Sequence, residues 1–566
     1  SFGIVGSRYF SSIFSNIDVH KFEFFSYQAF DTVSALQHHI GSCTHMMMLI
    51  ALAAPGALVF ATLLSLISPG RRPKWLLHYA NAACALAVAL AIASAAYVAI
   101  NGPATSQVVG YRGAGISVRL DSVSCTMFLL VAFIGLFVMK YSASYLDGEE
   151  RQGKFVGAMA GVLASVQLLV IAGNLGQFVV AWIAASIFLN QLLLFYPNRL
   201  MARRAARKKA LMARLGDVSL IVAAGILALS FNTFDIATIA QLAHASEASL
   251  PLAFAAACLG VSAILKSAQF PTHGWLTEVM ETPTPVSALL HAGVVNGGGF
   301  LLIRFADVML LAPGVLAALA IVGGFTALFG GIVMITQPAI KNALAWSTIG
   351  QMGFMILQCG LALFPIALLH IVCHSLYKAH AFLASGSAVD DVAALRRPGP
   401  VATPSVQVIA KSFLIALIIY AAIGLTLGLS HKSPQSIALG IILILGVAYL
   451  LAQGLADAAP RQLTLRTTVF SLGAAVSYFA LQAGAEWLTS GTLRAPPAPT
   501  ALEWSLMILA VLSFGSVALV QTMLPLWGSH PAAAGLRVHL SNGLYANALL
   551  DRMLGTWSAG SSTSKA

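Results

Sequence analysis

The feature that most constrains this sequence is a recurring run of about 20 apolar residues, each separated from the next by a short polar or basic loop. A run of this length forms a helix that crosses a bilayer, because lipid offers no water to the backbone N–H and C=O groups. The chain is 58% hydrophobic and only 9% charged, whereas an ordinary soluble domain is about 25% charged. These observations exclude a soluble globular fold and predict an all-α polytopic membrane protein.

Hydropathy predicts about fifteen transmembrane helices, numbered here as spans one to fifteen. The predicted spans are 46–67, 76–100, 122–140, 154–173, 175–196, 210–231, 250–270, 284–311, 313–336, 342–363, 364–389, 408–430, 435–456, 467–488 and 503–527. No segment between them is long enough for a separate soluble domain.

The net charge of +12 reflects basic residues that are concentrated in alternate loops of this prediction. They follow spans one, three, five, eleven, thirteen and fifteen, whereas the opposite loops carry little beyond Arg112, Arg119, Lys432 and Arg494. The positive-inside rule then places the N-terminus outside and the C-terminus in the cytoplasm, for a protein of the cell inner membrane. Topology also explains the basic run 199–209, with binding of an anionic lipid or an acidic partner as the alternative.

Two further features bear on the class of protein. Residues 1–45 are polar and aromatic and lack the basic and apolar regions of a signal peptide, so we interpret them as an N-terminal extension. The six cysteines are scattered and form no CxxC pair, which favours neither a disulfide framework nor a zinc site.

Ionisable residues inside the predicted spans suggest function, because a charge at the centre of a membrane helix costs about 2.5–3.5 kcal/mol on insertion scales. Arg214 and Asp217 lie at i and i+3 near the start of span six and can pair on one face. Lys266 ends span seven just before Pro271, and a helix broken beside an ionisable group is typical of membrane ion sites. For both groups, a side chain that snorkels to the interface is the alternative.

Span eight and span twelve contribute further candidates. His291 lies about two turns into span eight, ahead of the glycines at 297–299, although a lone histidine often serves only in packing. Arg304 and Asp307 follow at i and i+3 and form either a second local pair or an interfacial anchor. Lys411, near the start of span twelve, is a candidate that could equally snorkel.

The densest group lies in the string LHIVCHSLYKAHAFLASG of span eleven. His370, His374 and Lys378 recur at i, i+4 and i+8, so they share one helix face, from which His380 is displaced. Histidine titrates near neutrality, and such a row can pass protons through intervening water. A His–His metal site is the alternative, but no third ligand is evident. We interpret the row as a proton relay.

Three strings carry a resemblance to a known family: LKSAQFPTHGWLTEVMETPTPVSALLHAG, IKNALAWSTIGQMGFM and HIVCHSLYKAHAFLASGS. Over roughly residues 115–390 the chain resembles the antiporter-like membrane subunits of respiratory complex I, Mrp antiporters and membrane-bound hydrogenases. The resemblance implies two inverted five-helix repeats, each with a broken helix. The implied divisions are an extension at 1–45, membrane helices at 46–152, a first repeat at 153–311, a second repeat at 312–456, and C-terminal membrane helices with a cytoplasmic tail at 457–566.

The resemblance also implies which side chains form a proton or cation pathway. They are Arg214, Asp217, Lys266, His291, His370, His374 and Lys378. Lys411 is a candidate equivalent on span twelve, in a stretch that lacks the family's Phe-Ser-Lys-Asp motif.

Departures from the complex I pattern refine the prediction. In VVAWIAASIF, Ile183 follows Trp182 where complex I subunits carry a glutamate that modulates the broken-helix lysine. We also expect no long lateral helix after span fifteen. Both departures favour a stand-alone partner over the respiratory complex.

This pattern is most similar to the membrane subunit of DAB inorganic carbon accumulation complexes. The resemblance implies that the chain passes cations, with protons the expected ion, and so energises hydration of CO2 by a DabA-like cytoplasmic zinc protein resembling β-carbonic anhydrase. The chain would be a transport and energy-coupling subunit with no cofactor of its own. The alternatives are a proton-pumping subunit of a complex I-like or hydrogenase-like oxidoreductase, and a non-conducting anchor, against which the intramembrane titratable groups argue.

Overall fold

The structure is a computed structural model that describes residues 48–111, 114–386, 405–428, 432–455, 461–523, 527–528 and 530–554. The predicted extension at 1–45 lies outside these ranges.

Helices dominate the described residues. The first group is α1 (Ala53–Ile67), α2 (Lys74–Asn101), α3 (Ser122–Tyr145), α4 (Gln152–Val170), α5 (Leu175–Leu193), α6 (Leu200–Phe231), α7 (Ile236–Ala245) and α8 (Leu250–Lys266). The short central helices are α9 (Gly274–Glu278), α10 (Thr284–Ala292), α11 (Gly297–Arg304) and α12 (Ala306–Leu310). The remainder are α13 (Pro313–Met334), α14 (Ile340–Gly360), α15 (Phe364–Leu383), α16 (Val406–Thr426), α17 (Pro434–Gly454), α18 (Arg461–Thr489), α19 (Ala501–Thr522), α20 (Pro531–Ser541) and α21 (Ala546–Leu554).

The predicted spans fall on these helices, and the all-α polytopic prediction is confirmed. Within the described ranges, 12 helices are long and apolar enough to cross a membrane. The α8 helix is shorter, with 17 residues, because it stops at Lys266. The total of about fifteen spans and the two inverted repeats remain predictions.

Two boundaries differ from the prediction in ways that matter for the site. The α6 helix begins at Leu200 rather than at residue 210, so the end of the basic run lies within a helix. Span eight is interrupted: α10 ends at Ala292, a 3-10 turn covers Val294–Asn296, and α11 follows. Gly293 lies at the break with φ −123° and ψ −75°, which a helix interior does not adopt.

Short strands, which the sequence did not reveal, fold the segment between α2 and α3. The β1 strand (Ala104–Thr105) pairs with β4 (Arg119–Leu120), and β2 (Val109–Tyr111) pairs with β3 (Ala114–Ile116), both antiparallel. An isolated bridge from Val118 to Ala172 joins this segment to the loop that follows α4, and a second, from Asn174 to Asp235, joins that loop to the one that follows α6. This end of the helix bundle is called the strand end below.

The other end of the bundle, called the basic end below, carries ion pairs between loops. Arg71 Nη2 lies 2.6 Å from Glu150 Oε1, and Arg72 Nε lies 3.0 Å from Asp147 Oδ1. These pairs join the α1–α2 and α3–α4 loops on the side that the positive-inside rule assigns to the cytoplasm.

Glycines allow α13 and α14 to pack backbone against backbone. A Cβ added at Gly330 would lie 2.6 Å from Gly350 N, and one added at Gly353 would lie 2.4 Å from Ala327 N. Such small-residue contacts replace hydrophobic collapse as a source of helix association in lipid. The α13–α14 hairpin is therefore a rigid base for the side chains that α14 contributes to the site.

We expect Gly330→Ala to lower the free energy of unfolding by about 1–3 kcal/mol, because its methyl group must displace α14 backbone. The neighbouring Gly331→Ala is the matched control, since nothing lies within 4 Å of its added Cβ. Thermal unfolding of both variants in detergent measures the difference. Equal midpoints for the two would contradict close packing of this hairpin.

Candidate intramembrane ion pathway

Two interrupted helices meet at the centre of the bundle. Ser267, which follows the end of α8, donates its hydroxyl to Val295 O at 2.7 Å, inside the interruption between α10 and α11. Gly298 permits this approach, since an added Cβ would lie 2.4 Å from both Ala263 O and Ser267 Oγ. Interrupted helices expose backbone groups and small cavities at membrane depth, which is how membrane proteins build ion sites. The break predicted after Lys266 is therefore present, and a second one lies beside it.

Lys266 and a second lysine both bind Ser186 of α5. Lys266 Nζ donates to Ser186 Oγ at 2.8 Å and lies 4.2 Å from the Trp182 ring centroid. Lys209 Nζ donates to Ser186 O at 2.8 Å and is only 5% exposed. A neutral hydroxyl, one helical turn beyond Ile183, thus contacts the lysine at the broken end of α8.

The predicted pair on α6 forms, but its two members lie in different environments. Arg214 Nη1 is 3.3 Å from Asp217 Oδ2, with the arginine side chain 61% exposed and the aspartate side chain 5% exposed. Asp217 Oδ1 has no hydrogen-bond partner among the described residues. Only Asp217 faces the interior, so Arg214 is positioned as its counter-ion at the surface.

A cavity of about 40 Å³ joins the Lys266 region to α15, with Lys266, Asn296 and Ser375 among its lining residues. Asn296 Nδ2 donates to Ser375 Oγ at 2.8 Å across it. The volume is enough for a small number of water molecules, since one requires about 10–15 Å³ on this measure. Most of the remaining lining is apolar, so water would be held at the polar edge.

The next contacts connect His291 to Lys378. His291 Nδ1 lies 3.1 Å from Thr348 Oγ1, whose hydroxyl donates to Leu344 O at 2.9 Å. Lys378 Nζ donates to the same Leu344 carbonyl at 3.2 Å. His291 also stacks on Phe382, with ring centroids 4.4 Å apart. His291 and Lys378 are both 0% exposed, so the structure brings together two of the predicted residues inside the bundle.

The two histidines of α15 continue the row towards the strand end. His370 Nδ1 lies 3.0 Å from Gln358 Oε1, and the ring centroids of His370 and His374 are 6.0 Å apart. Both line a cavity of about 590 Å³ between α14, α15 and the C-terminal helices. His380 is exposed, as its position off the stripe predicts.

Several buried polar atoms without a protein partner lie along the pathway from Asp217 through Asn296 and His291 to His370. Among the described residues they include His291 Nε2, His370 Nε2, both ring nitrogens of His374, Asn296 Oδ1 and Asp217 Oδ1. Buried polar atoms are normally hydrogen-bonded, so these positions require water. The row is thus a set of protein groups separated by places for water, which is the arrangement that proton transfer needs.

One candidate lies apart from the row. Lys411 is exposed on α16, which packs against α17 and α18 in the described structure. The α16 helix is unbroken from Val406 to Thr426. The roles of Lys411 and of the other predicted pathway residues remain predictions.

The local pairing of Arg304 with Asp307 is wrong. Arg304 Nη1 instead lies 2.7 Å from Asp121 Oδ2, at the start of α3, and Asp307 Oδ1 lies 3.0 Å from Arg494 Nε. Arg304 ends α11, so its side chain reaches the neighbouring helix rather than the next turn of its own. Spacing in sequence gave no signal for a partner 183 residues away.

The sequence also did not single out Lys208 and Lys209 within the basic run. Lys208 is 1% exposed, and its Nζ lies 2.6 Å from Glu278 Oε1 and in contact with Asp551 of α21. Asn547 of α21 accepts a hydrogen bond from the same Nζ at 2.8 Å. The C-terminal helix is therefore bound to the basic end beside the broken helix. A lysine is almost never fully buried unless it is paired. The burial of Lys208 becomes evident only once α6 is known to begin at Leu200.

Two family models match the chain. One, described as NADH:quinone oxidoreductase/Mrp antiporter, TM, covers residues 172–445, and the other, described as NADH-Ubiquinone oxidoreductase (complex I), chain 5 N-terminus, covers residues 109–156. The fold and the interrupted helices agree with these matches. The chain is thus a multi-pass membrane protein of the antiporter-like class.

Relatives over longer stretches support the same family. The "Probable inorganic carbon transporter subunit DabB2" of Halothiobacillus neapolitanus (strain ATCC 23641 / c2) is 38% identical over 77% of this chain and 80% of that protein. The "NADH-quinone oxidoreductase subunit L" of Escherichia coli (strain K12) is 35% identical over 50% of this chain and 46% of that protein. The chain belongs to the antiporter-like membrane subunit family that includes these proteins.

A solved structure has a similar fold. The "Structure of Mrp complex from Dietzia sp. DQ12-45-1b" matches with a TM-score of 0.55 and 23% identity, covering 91% of this chain and 57% of that one. At this identity the likeness concerns the fold alone.

Proposed function

We propose that this chain is the cation-translocating membrane subunit of an inorganic carbon uptake complex, with protons as the ion. It would lie in the cell inner membrane with its N-terminus outside and its C-terminus in the cytoplasm, as the basic loops indicate. The observation that carries the proposal is the buried connection from Lys378 through Leu344 O and Thr348 to His291. An apolar anchor would have no use for lysine and histidine at 0% exposure.

The arrangement can pass protons by short steps. Because the Thr348 hydroxyl proton is used on Leu344 O, Thr348 accepts from His291 Nδ1, which leaves His291 Nε2 as the nitrogen available to water. Lys266 and Lys378 can each hold or release a proton, and Asn296 and Ser375 offer hydrogen bonds between them without titrating. Water at the unpartnered atoms would complete the transfers.

The carbon chemistry would take place in a partner. The name of the DabB2 relative concerns inorganic carbon transport, and this chain is 38% identical to that protein over 77% of this chain's length. We infer that a DabA-like cytoplasmic zinc protein resembling β-carbonic anhydrase binds the basic end and hydrates CO2 to bicarbonate there. This chain would then supply the free energy of the cation gradient rather than catalysis, and zinc would belong to the partner.

Affinity purification of the tagged full chain from its native membrane tests the partner. We expect it to recover a zinc-containing carbonic-anhydrase-like protein, identified by mass spectrometry and metal analysis. Recovery of NADH- or quinone-oxidising subunits would instead select the oxidoreductase alternative, which the match to NADH-quinone oxidoreductase subunit L keeps open. The control is the same purification from membranes that contain the untagged chain, which should recover neither class of partner.

A further inference from the structure

The strand end contains a polar cavity that the pathway above does not use. Its volume is about 790 Å³, and its lining includes Arg119, Asp121, His244, Asp307 and Arg494. The His244 side chain is 63% exposed, so the cavity reaches the surface of the protein. We call it the outer cavity.

A buried ion pair lies at the inner wall of the outer cavity. Arg304 Nη1 is 2.7 Å from Asp121 Oδ2, with the two side chains 2% and 1% exposed. Arg304 Nη2 donates to Ser124 Oγ at 2.6 Å, and Ser124 donates its backbone N–H to Asp121 Oδ1 at 2.7 Å. The pair is held from both sides by α3.

The same arginine contacts two residues that line the 40 Å³ cavity, as Lys266 does. Arg304 Nη2 also donates to Val170 O at 3.3 Å, and its guanidinium lies 5.5 Å from the Phe300 ring centroid. Val170 and Phe300 both line the 40 Å³ cavity. Asp121 lines the outer cavity, so the ion pair stands between the two spaces.

The carboxylate is shared with a second arginine. Arg119 Nε donates to Asp121 Oδ2 at 2.9 Å, the oxygen that Arg304 also uses. If the bond to Arg304 breaks, Asp121 therefore keeps a cationic partner. Arg119 Nη1 and Arg304 Nε have no hydrogen-bond partner among the described residues, so each guanidinium keeps a donor for a further ligand or water.

We propose that the outer cavity is the mouth of the ion pathway at the strand end and that the Asp121–Arg304 pair is its gate. This inference rests on the proposed cation translocation. The permanently charged guanidinium of Arg304 repels a cation that would pass between the two cavities, and Asp121 holds the guanidinium in that position. When Asp121 shifts towards Arg119, the Arg304 guanidinium is released. Asp121 and Arg304 thus control access to Lys266 and are positioning residues for it.

The test is the reactivity of a cysteine placed behind the gate. Ala292 lines the 40 Å³ cavity and is 1% exposed, so Ala292→Cys is introduced into the full chain with its native cysteines replaced. Silver ions, which are small monovalent cations, are added to sealed membrane vesicles on the strand-end side. Protection of the cysteine from later maleimide labelling, measured after denaturation, reports silver binding and does not depend on transport activity.

We expect Ala292→Cys to react slowly in the otherwise unchanged chain and about tenfold faster, or more, when Arg304→Gln is added. Arg304→Met, which keeps a long side chain but removes the charge, should raise the rate in the same direction and serves if Arg304→Gln does not assemble. Gln241→Cys, in the lining of the outer cavity, should react quickly in every background. Lys432→Gln is the control, because it breaks an ion pair with Glu486 at the same end of the bundle but away from the outer cavity.

The gate is contradicted if Ala292→Cys reacts as fast without the gate substitutions as with them, or if neither substitution accelerates it in assembled protein. The readout separates this inference from the proposed function. Unchanged carbon uptake in Lys266→Ala and Lys378→Ala would contradict the proposed function, independently of the silver reactivity of Ala292→Cys.

Discussion

Lys378→Ala is expected to abolish growth that depends on carbon uptake while the complex remains assembled in the membrane. The substitution removes the titratable group of the buried connection to His291, and a positioned proton-transfer group typically contributes about 10²–10⁴-fold to a rate. The fold should tolerate the change, because Thr348 still donates to Leu344 O when the lysine is absent. Growth at air levels of CO2 and membrane content of the tagged chain are the two measurements.

The control for this prediction lies on the same helix. His380 is exposed and off the stripe, so His380→Ala should grow as the unaltered chain does. Lys378→Arg should abolish growth as Lys378→Ala does, because a guanidinium does not release its proton in proteins. Wild-type growth of cells that carry an assembled Lys378→Ala chain would contradict the proton relay.

Lys266→Ala is expected to have an equally large effect for a related reason. Lys266 joins the broken end of α8 to Ser186 and lines the 40 Å³ cavity with Asn296, so its loss removes the proton-holding group of that cavity. We expect uptake of labelled inorganic carbon to fall by about a hundredfold or more, with assembly retained.

A variant of intermediate effect tests whether Ser186 positions Lys266 on the pathway. Ser186→Ala removes only the hydroxyl that Lys266 contacts, at 2.8 Å. A hydrogen bond to a charged group contributes about 1.5–3 kcal/mol, so uptake should fall by about tenfold to a hundredfold, between the unaltered chain and Lys266→Ala. Ser505→Ala is the matched control, because it removes an exposed hydroxyl that donates to Ala501 O of its own helix. Equal uptake by all four chains would show that Lys266 is not on the pathway.

Much of the fold could be predicted because lipid restricts the backbone to helices, and long apolar runs therefore have one interpretation. The row on α15 was equally accessible, since positions i, i+4 and i+8 share a face in any helix. The interruption of span eight was not predicted. Gly293 lies in an apolar run that predicts a continuous helix, and only the contact of Ser267 with Val295 O shows why the chain breaks there.

The unpredicted parts of the site are of two kinds. Ser186, Thr348 and Asn296 are neutral polar residues that look the same in sequence as residues that serve only in packing. Their contribution to the pathway depends on which ionisable group lies opposite each of them, and only the tertiary structure shows that.

Charged residues were misassigned where the partner is distant. Arg304 has an acidic residue three positions on, so a local pair with Asp307 was one of the two alternatives, beside an interfacial anchor, but the structure pairs Arg304 with Asp121. Lys208 and Lys209 were assigned to a loop because a basic run satisfies the positive-inside rule. Their burial, at 1% and 5% exposure, follows from the early start of α6.

The most direct measurement of the central claim is proton flux through the purified complex in sealed liposomes. With a pH-sensitive dye inside, sodium-free buffer and a potassium diffusion potential, we predict an internal pH change that depends on the protein and is lost with Lys378→Ala. A wild-type flux no greater than that of protein-free liposomes, or an equal flux through Lys378→Ala, would contradict the proposal that this chain carries protons along its buried row.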